Sequence, residues 1–220
     1  MRALPIVAAC AAASALAQVP QPPAGITRTG LADNATVLVA RLHMDPGSRE
    51  PLHTHPFSAV VIQLTFGDVD MTLGDDHTRA QQPPGFVWFI PKETTHAAMN
   101  AGTTAFDVIT VAIKPARPPA AAARATAAPA GIVRTTLLDN AEARVVRVQF
   151  QPGSGEPVHT HPNDLVTVQL TSGRVDILVG SERSVEDRAP GFVRFLPREV
   201  PHAYVSADTK SFELMSVSVK

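Results

Sequence analysis

Two copies of the tripeptide His-Thr-His are the residues of this chain best suited to chemistry. They are His53-Thr54-His55 and His159-Thr160-His161. Alternate side chains of a β-strand point to the same face, so each pair presents two imidazoles side by side. Neutral imidazole nitrogens are common ligands of transition metals. Each motif therefore predicts two adjacent ligands for one metal ion.

A third histidine follows each pair at a matching distance along the chain. His96 follows the first pair and His202 the second, and each comes shortly after a proline that ends a predicted strand. Two H-x-H pairs with a third histidine at matched spacing are hard to explain by coincidence. The expected metal ligands are His53, His55 and His96 in one site and His159, His161 and His202 in the other.

The histidines belong to an internal repeat that covers most of the chain. Residues 25–114 align without a gap with residues 131–220, and a repeat of this length suits a small domain rather than a solenoid unit. Residues 115–130 are rich in proline and alanine and predict a surface linker, and residues 18–24 predict a loose lead-in. The sequence therefore predicts two tandem domains.

Each copy consists of short apolar, β-branched runs bounded by Gly and Pro turns. Examples are 37–42, 60–64, 69–73, 86–90 and 106–113. Strands of about five residues at regular spacing, without helical periodicity, indicate an antiparallel sandwich or barrel.

Both copies resemble cupin domains. The first cupin motif reads G(X)5HXH(X)3-4E(X)6G and the second reads G(X)5PXG(X)2H(X)3N. The matching residues are Gly47, His53, His55, Gly67, Gly85, Pro91, His96 and Asn100 in the first copy, and Gly153, His159, His161, Gly173, Gly191, Pro197 and His202 in the second. The resemblance implies an all-β bicupin, in which two double-stranded β-helix barrels of the jelly-roll kind pack as an internal pseudo-dimer.

The chain departs from the cupin motifs at the position of the glutamate ligand. The candidate positions are Ala59 or Val60 in the first copy and Leu165 or Val166 in the second, and all are apolar. In the second motif, Glu93 and Glu199 replace the PXG glycine and Ser206 replaces the asparagine. The resemblance ties oxalate oxidase and oxalate decarboxylase activities to three histidines and one glutamate, so these sites argue against both.

Three neutral imidazoles leave the full charge of a divalent ion uncompensated. Open coordination positions would then take water or a small anionic molecule such as a carboxylate or an enolate. We expect one divalent transition metal per domain, with Fe, Mn, Zn, Ni and Cu left open. Three histidines with water resemble a hydrolytic zinc site, and they also resemble the three-His Fe(II) sites of some cupin dioxygenases.

Four polar residues near the motifs are candidates for a supporting role. Gln63 and Gln169 fall on the face where the missing glutamate would lie. Three roles are open to them: a weak fourth ligand, a hydrogen-bond partner of the ligands, or a polar residue that satisfies a neighbour in the barrel. Glu50 and Glu156 lie three residues before the first histidine ligand of their copies. Each carboxylate either orients an imidazole or is exposed in a loop.

The pocket walls of the two copies differ in sequence. Phe86 and Trp88 could line the first pocket, while Arg194 takes the position of Trp88 in the second copy. If these side chains point inward, one cavity is aromatic and the other can pair with an anion. If they point outward, they belong to the surface.

The numbers of charged residues limit the classes of partner that the chain could bind. The chain has 19 basic and 20 acidic residues, a net charge of −1 and no basic stripe, which argues against a nucleic-acid partner.

Residues 1–17 predict a signal peptide that is cleaved after Ala17 and is too short to span a membrane, so we expect a periplasmic or secreted protein. Cys10, the single cysteine, lies in a lipoprotein-like sequence that offers a second route of export.

Three functions follow from these observations. The first is a metal-dependent oxidoreductase of the dioxygenase type, or an isomerase, that acts on a small anionic metabolite. The second is a binding or sensing protein that captures a small ligand or a metal without chemistry. The third is a structural bicupin whose metal only stabilises the barrels.

Overall fold

The structure is a computed structural model that describes residues 23–115 and 129–220. The predicted signal peptide, Cys10 and most of the lead-in and the linker lie outside these ranges. The described residues form seventeen β-strands and no helix. No helix in this part of the chain is therefore long and apolar enough to cross a membrane.

The strands repeat between the two copies. Those of the first copy are β1 (Ile26–Asp33), β2 (Val37–Met44), β3 (Ser58–Gln63), β4 (Gly67–Leu73), β5 (Asp76–Gln82), β6 (Val87–Ile90), β7 (His96–Asn100) and β8 (Phe106–Ile113). Those of the second copy are β9 (Ile132–Asp139), β10 (Ala143–Phe150), β11 (Gly155–His159), β12 (Asp164–Gln169), β13 (Gly173–Val179), β14 (Glu182–Arg188), β15 (Val193–Leu196), β16 (His202–Ser206) and β17 (Phe212–Val219).

Each copy folds into two antiparallel sheets that pack face to face. In the first copy the orders are β1-β2-β8-β3-β6 and β5-β4-β7, and in the second they are β15-β12-β17-β10-β9 and β11-β16-β13-β14. One apolar core joins Met44 and Phe106 of the first five-stranded sheet to Val69 and Met71 of the sheet opposite. The non-sequential strand order and the two facing sheets confirm the predicted jelly-roll barrels.

The two barrels share a core between their five-stranded sheets. Val60 and Ile62 of β3, together with Val166 and Val168 of β12, are fully buried in one cluster that spans both copies. The intervening residues of β3, such as Ala59 and Val61, instead line the interior of the first barrel. Because β3 and β12 are buried on both faces, their apolar runs are nearly continuous. The shared core forms the predicted internal pseudo-dimer.

Two motif glycines lie where the barrels meet. Gly85 has a φ of 83° and Gly191 a φ of 84°, a region that favours glycine. A Cβ atom at Gly85 would lie 3.2 Å from Leu170 Cδ1 of the other copy, and one at Gly191 would lie 3.0 Å from Leu64 Cδ1. These positions therefore require glycine both for backbone conformation and for close packing.

Candidate metal centres

Antiparallel pairing places the third histidine of each copy opposite the first. In the first copy, the His53 amide donates to the His96 carbonyl at 3.0 Å and the His96 amide donates back at 2.9 Å. In the second copy, His159 on β11 is the register partner of His202 on β16. Side chains directly opposite each other in such a ladder lie on the same face. Residues far apart in the sequence therefore point into one barrel.

The second histidine of each pair is held by a turn in the left-handed region. Glu93 has a φ of 61° and Glu199 a φ of 60°, so both keep the backbone conformation that the motif glycine would adopt. The Glu93 amide donates to the His55 carbonyl at 2.8 Å, and the Glu199 amide donates to the His161 carbonyl at 2.8 Å. Replacement of the motif glycine thus leaves the turn that anchors this histidine intact.

The imidazoles converge in both copies. The Nε2 atoms of His53 and His55 are 3.2 Å apart, and those of His159 and His161 are 3.0 Å apart. One candidate ligand atom from each of the three histidines lies within 4.8 Å of the other two in each group. Two nitrogens bound to one ion at about 2.1 Å can be no more than about 4.2 Å apart, a limit that these close pairs satisfy.

Backbone carbonyls fix the orientation of four of the six rings. The Nδ1 atoms of His53 and His96 lie 2.7 and 3.0 Å from the carbonyls of Pro51 and Thr94. The Nδ1 atoms of His159 and His202 contact the carbonyls of Pro157 and Val200 at 2.8 and 2.9 Å. A proton on Nδ1 leaves the Nε2 lone pair free to face the centre of the group. Closely apposed lone pairs repel unless a cation lies between them, so this donor set fits a metal ion.

Burial favours the neutral form of four of the six imidazoles. Burial, followed by the nearby imidazoles of His53 and His96, lowers the pKa of His55 to about 4. Burial and the neighbouring His159 and His202 lower the pKa of His161 to about 4 as well. Burial also lowers the pKa of His96 and of His202. Neutral imidazole is the form that binds metal, so metal need not displace protons from these rings near pH 7.

The strand that would carry the motif glutamate is apolar at the site. Ala59 and Leu165 line the two barrel interiors, whereas Val60 and Val166 lie in the core shared by the barrels. The residue on the site face is therefore Ala59 in the first copy and Leu165 in the second. Neither can supply a carboxylate.

Carboxylates approach the histidines from a different direction. Glu156 Oε2 lies 3.8 Å from His159 Nε2, and Arg134 forms an ion pair with the same carboxylate. Glu50 occupies the equivalent position in the first copy and pairs with Arg28 at 3.0 Å. The side chains of Glu50 and Glu156 are only 13% and 15% exposed, so neither stands free in a loop. Neither arginine was predicted from the sequence as a site residue, although Arg28 and Arg134 occupy matched positions in the repeat.

The two glutamines are not brought to the histidines. Gln63 donates its side-chain amide to the Thr65 carbonyl at 2.9 Å, and Gln169 donates to the Thr171 carbonyl at 2.9 Å. Gln63 lies beside Gly67 at one end of β4, whereas His96 pairs with Leu73 at the other end. Six residues of strand separate these levels by about 20 Å. Both glutamines hydrogen-bond the local turn, and Gln63 also lines the part of the first cavity that is remote from the histidines.

A cavity extends from each histidine group into its barrel. The first has a volume of about 660 Å³ and is lined by His55, His96 and Trp88 among others. The second has a volume of about 550 Å³ and is lined by all three of its histidines. Phe86 packs edge-on against Trp88 with 5.6 Å between ring centroids. Arg194 forms an ion pair with Glu186 and is not among the residues that line the second cavity.

Solved structures similar to this chain share its two-barrel architecture. AerE from Microcystis aeruginosa has a TM-score of 0.75 at 11% identity, with 90% of this chain and 93% of that chain covered. A cupin 2 conserved barrel domain protein from Leptotrichia buccalis has a TM-score of 0.62 at 14% identity, with 92% of both chains covered. Salicylate 1,2-dioxygenase from Pseudaminobacter salicylatoxidans has a TM-score of 0.69 at 13% identity, with 87% of this chain and 75% of that chain covered. No protein-family model matches the sequence, and no curated protein does so either.

The fold is that of a bicupin, and each barrel contains a group of three histidines that could hold a metal ion. At these low identities the likeness shows the fold alone, so the chemistry must be argued from the residues of this chain.

The lowered histidine pKa values predict a pH-dependent stability for the metal-free protein. Between the ordinary pKa of 6.5 and about 4, the unfolded chain binds protons at His55 and His161 that the folded chain does not. Stability therefore rises with pH across this range and falls as the pH is lowered from about 6.5 to about 4. Urea unfolding of chelator-treated protein at several pH values measures this slope.

A double variant isolates the contribution of these two rings. His55→Gln with His161→Gln should flatten the slope, whereas His77→Gln, an exposed histidine outside both groups, should leave it in place. A double variant that keeps the full slope would show that other groups cause the pH dependence.

Proposed function

We propose that the protein is an exported bicupin that binds one divalent transition metal in each barrel and acts on a small anionic molecule as an oxidoreductase of the dioxygenase type. The observation that carries the proposal is the convergence of three imidazoles in both copies, with Nε2 atoms 3.2 and 3.0 Å apart within the H-x-H pairs. An isomerase would use the same site, since both reactions begin with chelation of an anionic substrate.

The residues of each site have separate roles in the proposed function. The three histidines would hold the ion, which supplies Lewis acidity and, if it is iron, access to oxygen chemistry. Glu50 and Glu156 place a negative charge beside the ligands without occupying the motif position. Arg28 and Arg134 line the cavities at the same level and favour an anionic ligand. The apolar walls restrict the access of water to the reacting group.

One further observation supports an oxygenase over a hydrolase. The carboxylates beside the histidines are each paired with an arginine, which lowers their capacity to act as a general base for water. The same pairing favours the second candidate, a protein that binds a small anion or a metal without turnover.

Oxygen uptake separates the two candidates. Protein reconstituted with Fe(II) and given a panel of keto and enol acids should consume oxygen in proportion to the acid added. Stoichiometric binding of the acids by calorimetry, without oxygen consumption or product, would support the binding protein instead.

Metal content tests the independence of the two sites. His53→Ala with His96→Ala removes two of the three expected ligands of the first site, so bound metal should fall from about two ions per chain to about one. Elemental analysis of tag-free protein purified without chelators measures the change. His43→Ala with His77→Ala, which leaves both groups intact, is the matched control.

The outcome is unambiguous in either direction. Loss of both ions in the first double variant, or loss of none, would contradict two independent three-histidine sites. The reciprocal pair, His159→Ala with His202→Ala, should empty the second site in the same way.

The carboxylate beside the second site should strengthen metal binding. Glu156→Gln keeps the shape of the side chain and removes its charge 3.8 Å from His159 Nε2. Loss of a charged partner close to a metal typically weakens affinity by about 10- to 100-fold, and we expect the lower part of this range. Competition with a chromogenic chelator measures the affinity, with Glu182→Gln on exposed β14 as the control. Equal affinities of the two variants would remove Glu156 from the site.

Export is a separate part of the proposal. Residues 1–17 support it by their positive start, apolar run and Ala15-Leu16-Ala17 end. Expression of the full chain in a bacterial host should yield periplasmic protein whose mass corresponds to a chain that begins at Gln18. A lipid-modified chain that begins at Cys10 would indicate the lipoprotein route, and unprocessed cytosolic protein would contradict export.

A further inference from the structure

The interiors of the two barrels have diverged although their histidine groups have not. The first cavity is larger and is lined mainly by apolar side chains, and these include Met44, Val69, Met71, Trp88, Ala98 and Phe106. The second is smaller, and Thr136, Arg144 and Thr167 line it where the first cavity has Gly30, Leu38 and Val61. Equivalent positions of the repeat thus face different chemistry.

The second barrel is partly filled by its own aromatic side chains. Tyr204 is 3% exposed and Phe150 is 1% exposed, and Phe150 stacks on Phe212 with 5.0 Å between ring centroids. Arg188 is buried and lies over the Tyr204 ring, with Cζ 5.1 Å from the centroid. Glu186 binds Arg188 at 2.8 Å and neutralises its charge. These side chains narrow the space below the second histidine group, where Phe150 and Tyr204 line the remaining cavity of about 550 Å³.

The first barrel has small or neutral residues at the same positions. Ala98 stands where the second copy has Tyr204, Met44 where it has Phe150, and Gln82 where it has Arg188. Ala98 therefore leaves the place of the Tyr204 ring open in the first barrel, and the lining of the cavity includes Trp88 and Gln82.

Two donors in the first cavity have no partner among the described residues. Gln82 is 1% exposed and its Nε2 is unpaired, and the Nε1 atom of Trp88 is buried and unpaired as well. An unpaired buried donor costs free energy that an acceptor oxygen would recover. Tyr204 Oη is the corresponding unpaired group of the second cavity.

We propose that the first barrel binds a carboxylic acid with an apolar, ring-sized body and a neutral acceptor oxygen remote from the carboxylate, and that in the second barrel the Tyr204 ring occupies the place of that body. The carboxylate would lie at the histidines and Arg28, the body against Met71 and Trp88, and the remote oxygen at Trp88 Nε1. The position of the carboxylate rests on the proposed metal function, whereas the fit of the body does not.

Trp88 provides a direct measurement because it is the only tryptophan of the chain. Its fluorescence is titrated with acetate, cyclohexylacetate and 4-oxocyclohexylacetate, which absorb little light where tryptophan is excited. Cyclohexylacetate should bind at least about tenfold more tightly than acetate, because its ring removes apolar surface from water. The 4-oxo compound should bind at least as tightly as cyclohexylacetate, because the buried Trp88 Nε1 donor replaces the water that its ketone loses.

Substitutions exchange the interiors of the two barrels. Ala98→Tyr places the second barrel's aromatic side chain in the first cavity and should weaken cyclohexylacetate at least about tenfold. Ala98→Leu fills less space and keeps the test valid if the tyrosine variant fails to fold. Tyr204→Ala should raise the stoichiometry measured by calorimetry from one to two. Trp88→Phe, also followed by calorimetry, should weaken the 4-oxo compound more than cyclohexylacetate.

Metal analysis in parallel separates this inference from the proposed function. Every variant should keep the metal content of the unaltered protein, and chelator-treated protein should still prefer cyclohexylacetate to acetate. Protein that binds metal but shows no preference for the ring, or Ala98 variants with unchanged affinity, would overturn the inference and leave the metal function standing. Protein that prefers the ring but holds no metal would overturn the metal function alone.

Discussion

The backbone pairing of the first and third histidines is the constraint on which both sites depend. His53 and His96 exchange two amide-to-carbonyl hydrogen bonds, and His159 and His202 occupy the equivalent register. Shifting this register by one residue would turn one imidazole of each pair to the opposite face. The β-barrel therefore does more than enclose the histidines, because its hydrogen-bond ladder decides that they converge. The turn at Glu93 adds the third ring by holding the His55 carbonyl.

Charge is distributed unusually around these histidines. The strand that faces them presents Ala59 and Leu165, so the negative charge comes from Glu50 and Glu156 at the edge of the cavity. Each of these carboxylates is already paired with an arginine. An ion bound by three neutral imidazoles would therefore keep most of its positive charge, and anionic ligands would be drawn to its open positions. In the proposed function, binding of metal and binding of a small acid both follow from this one electrostatic arrangement.

Duplication has kept the outer surfaces of the barrels complementary while their interiors changed. Val60 and Ile62 pack with Val166 and Val168 in the shared core, so substitutions on this face must satisfy both copies at once. Residues on the inner face, such as Ala98 and Tyr204, contact only their own barrel and are free to diverge. The two histidine groups consequently open into cavities of different size and polarity. A bicupin built in this way can hold two similar ions beside two different ligands.

The sequence by itself determined the repeat, the all-β class and the identity of the six convergent histidines. These features are encoded locally, since H-x-H spacing, strand-length apolar runs and Gly or Pro turns each act over a few residues. Alternation also allowed Gln63 and Gln169 to be placed on the inner face, but it could not show that they lie about 20 Å along the barrel from the histidines. Only the tertiary structure decided that Ala59 rather than Val60 faces the site. It also decided that Arg28 and Arg134 reach the carboxylates beside the histidines. The place of Tyr204 inside the second barrel is a third such outcome. Each of these outcomes depends on contacts between strands distant in sequence, which the pattern within any one strand does not contain.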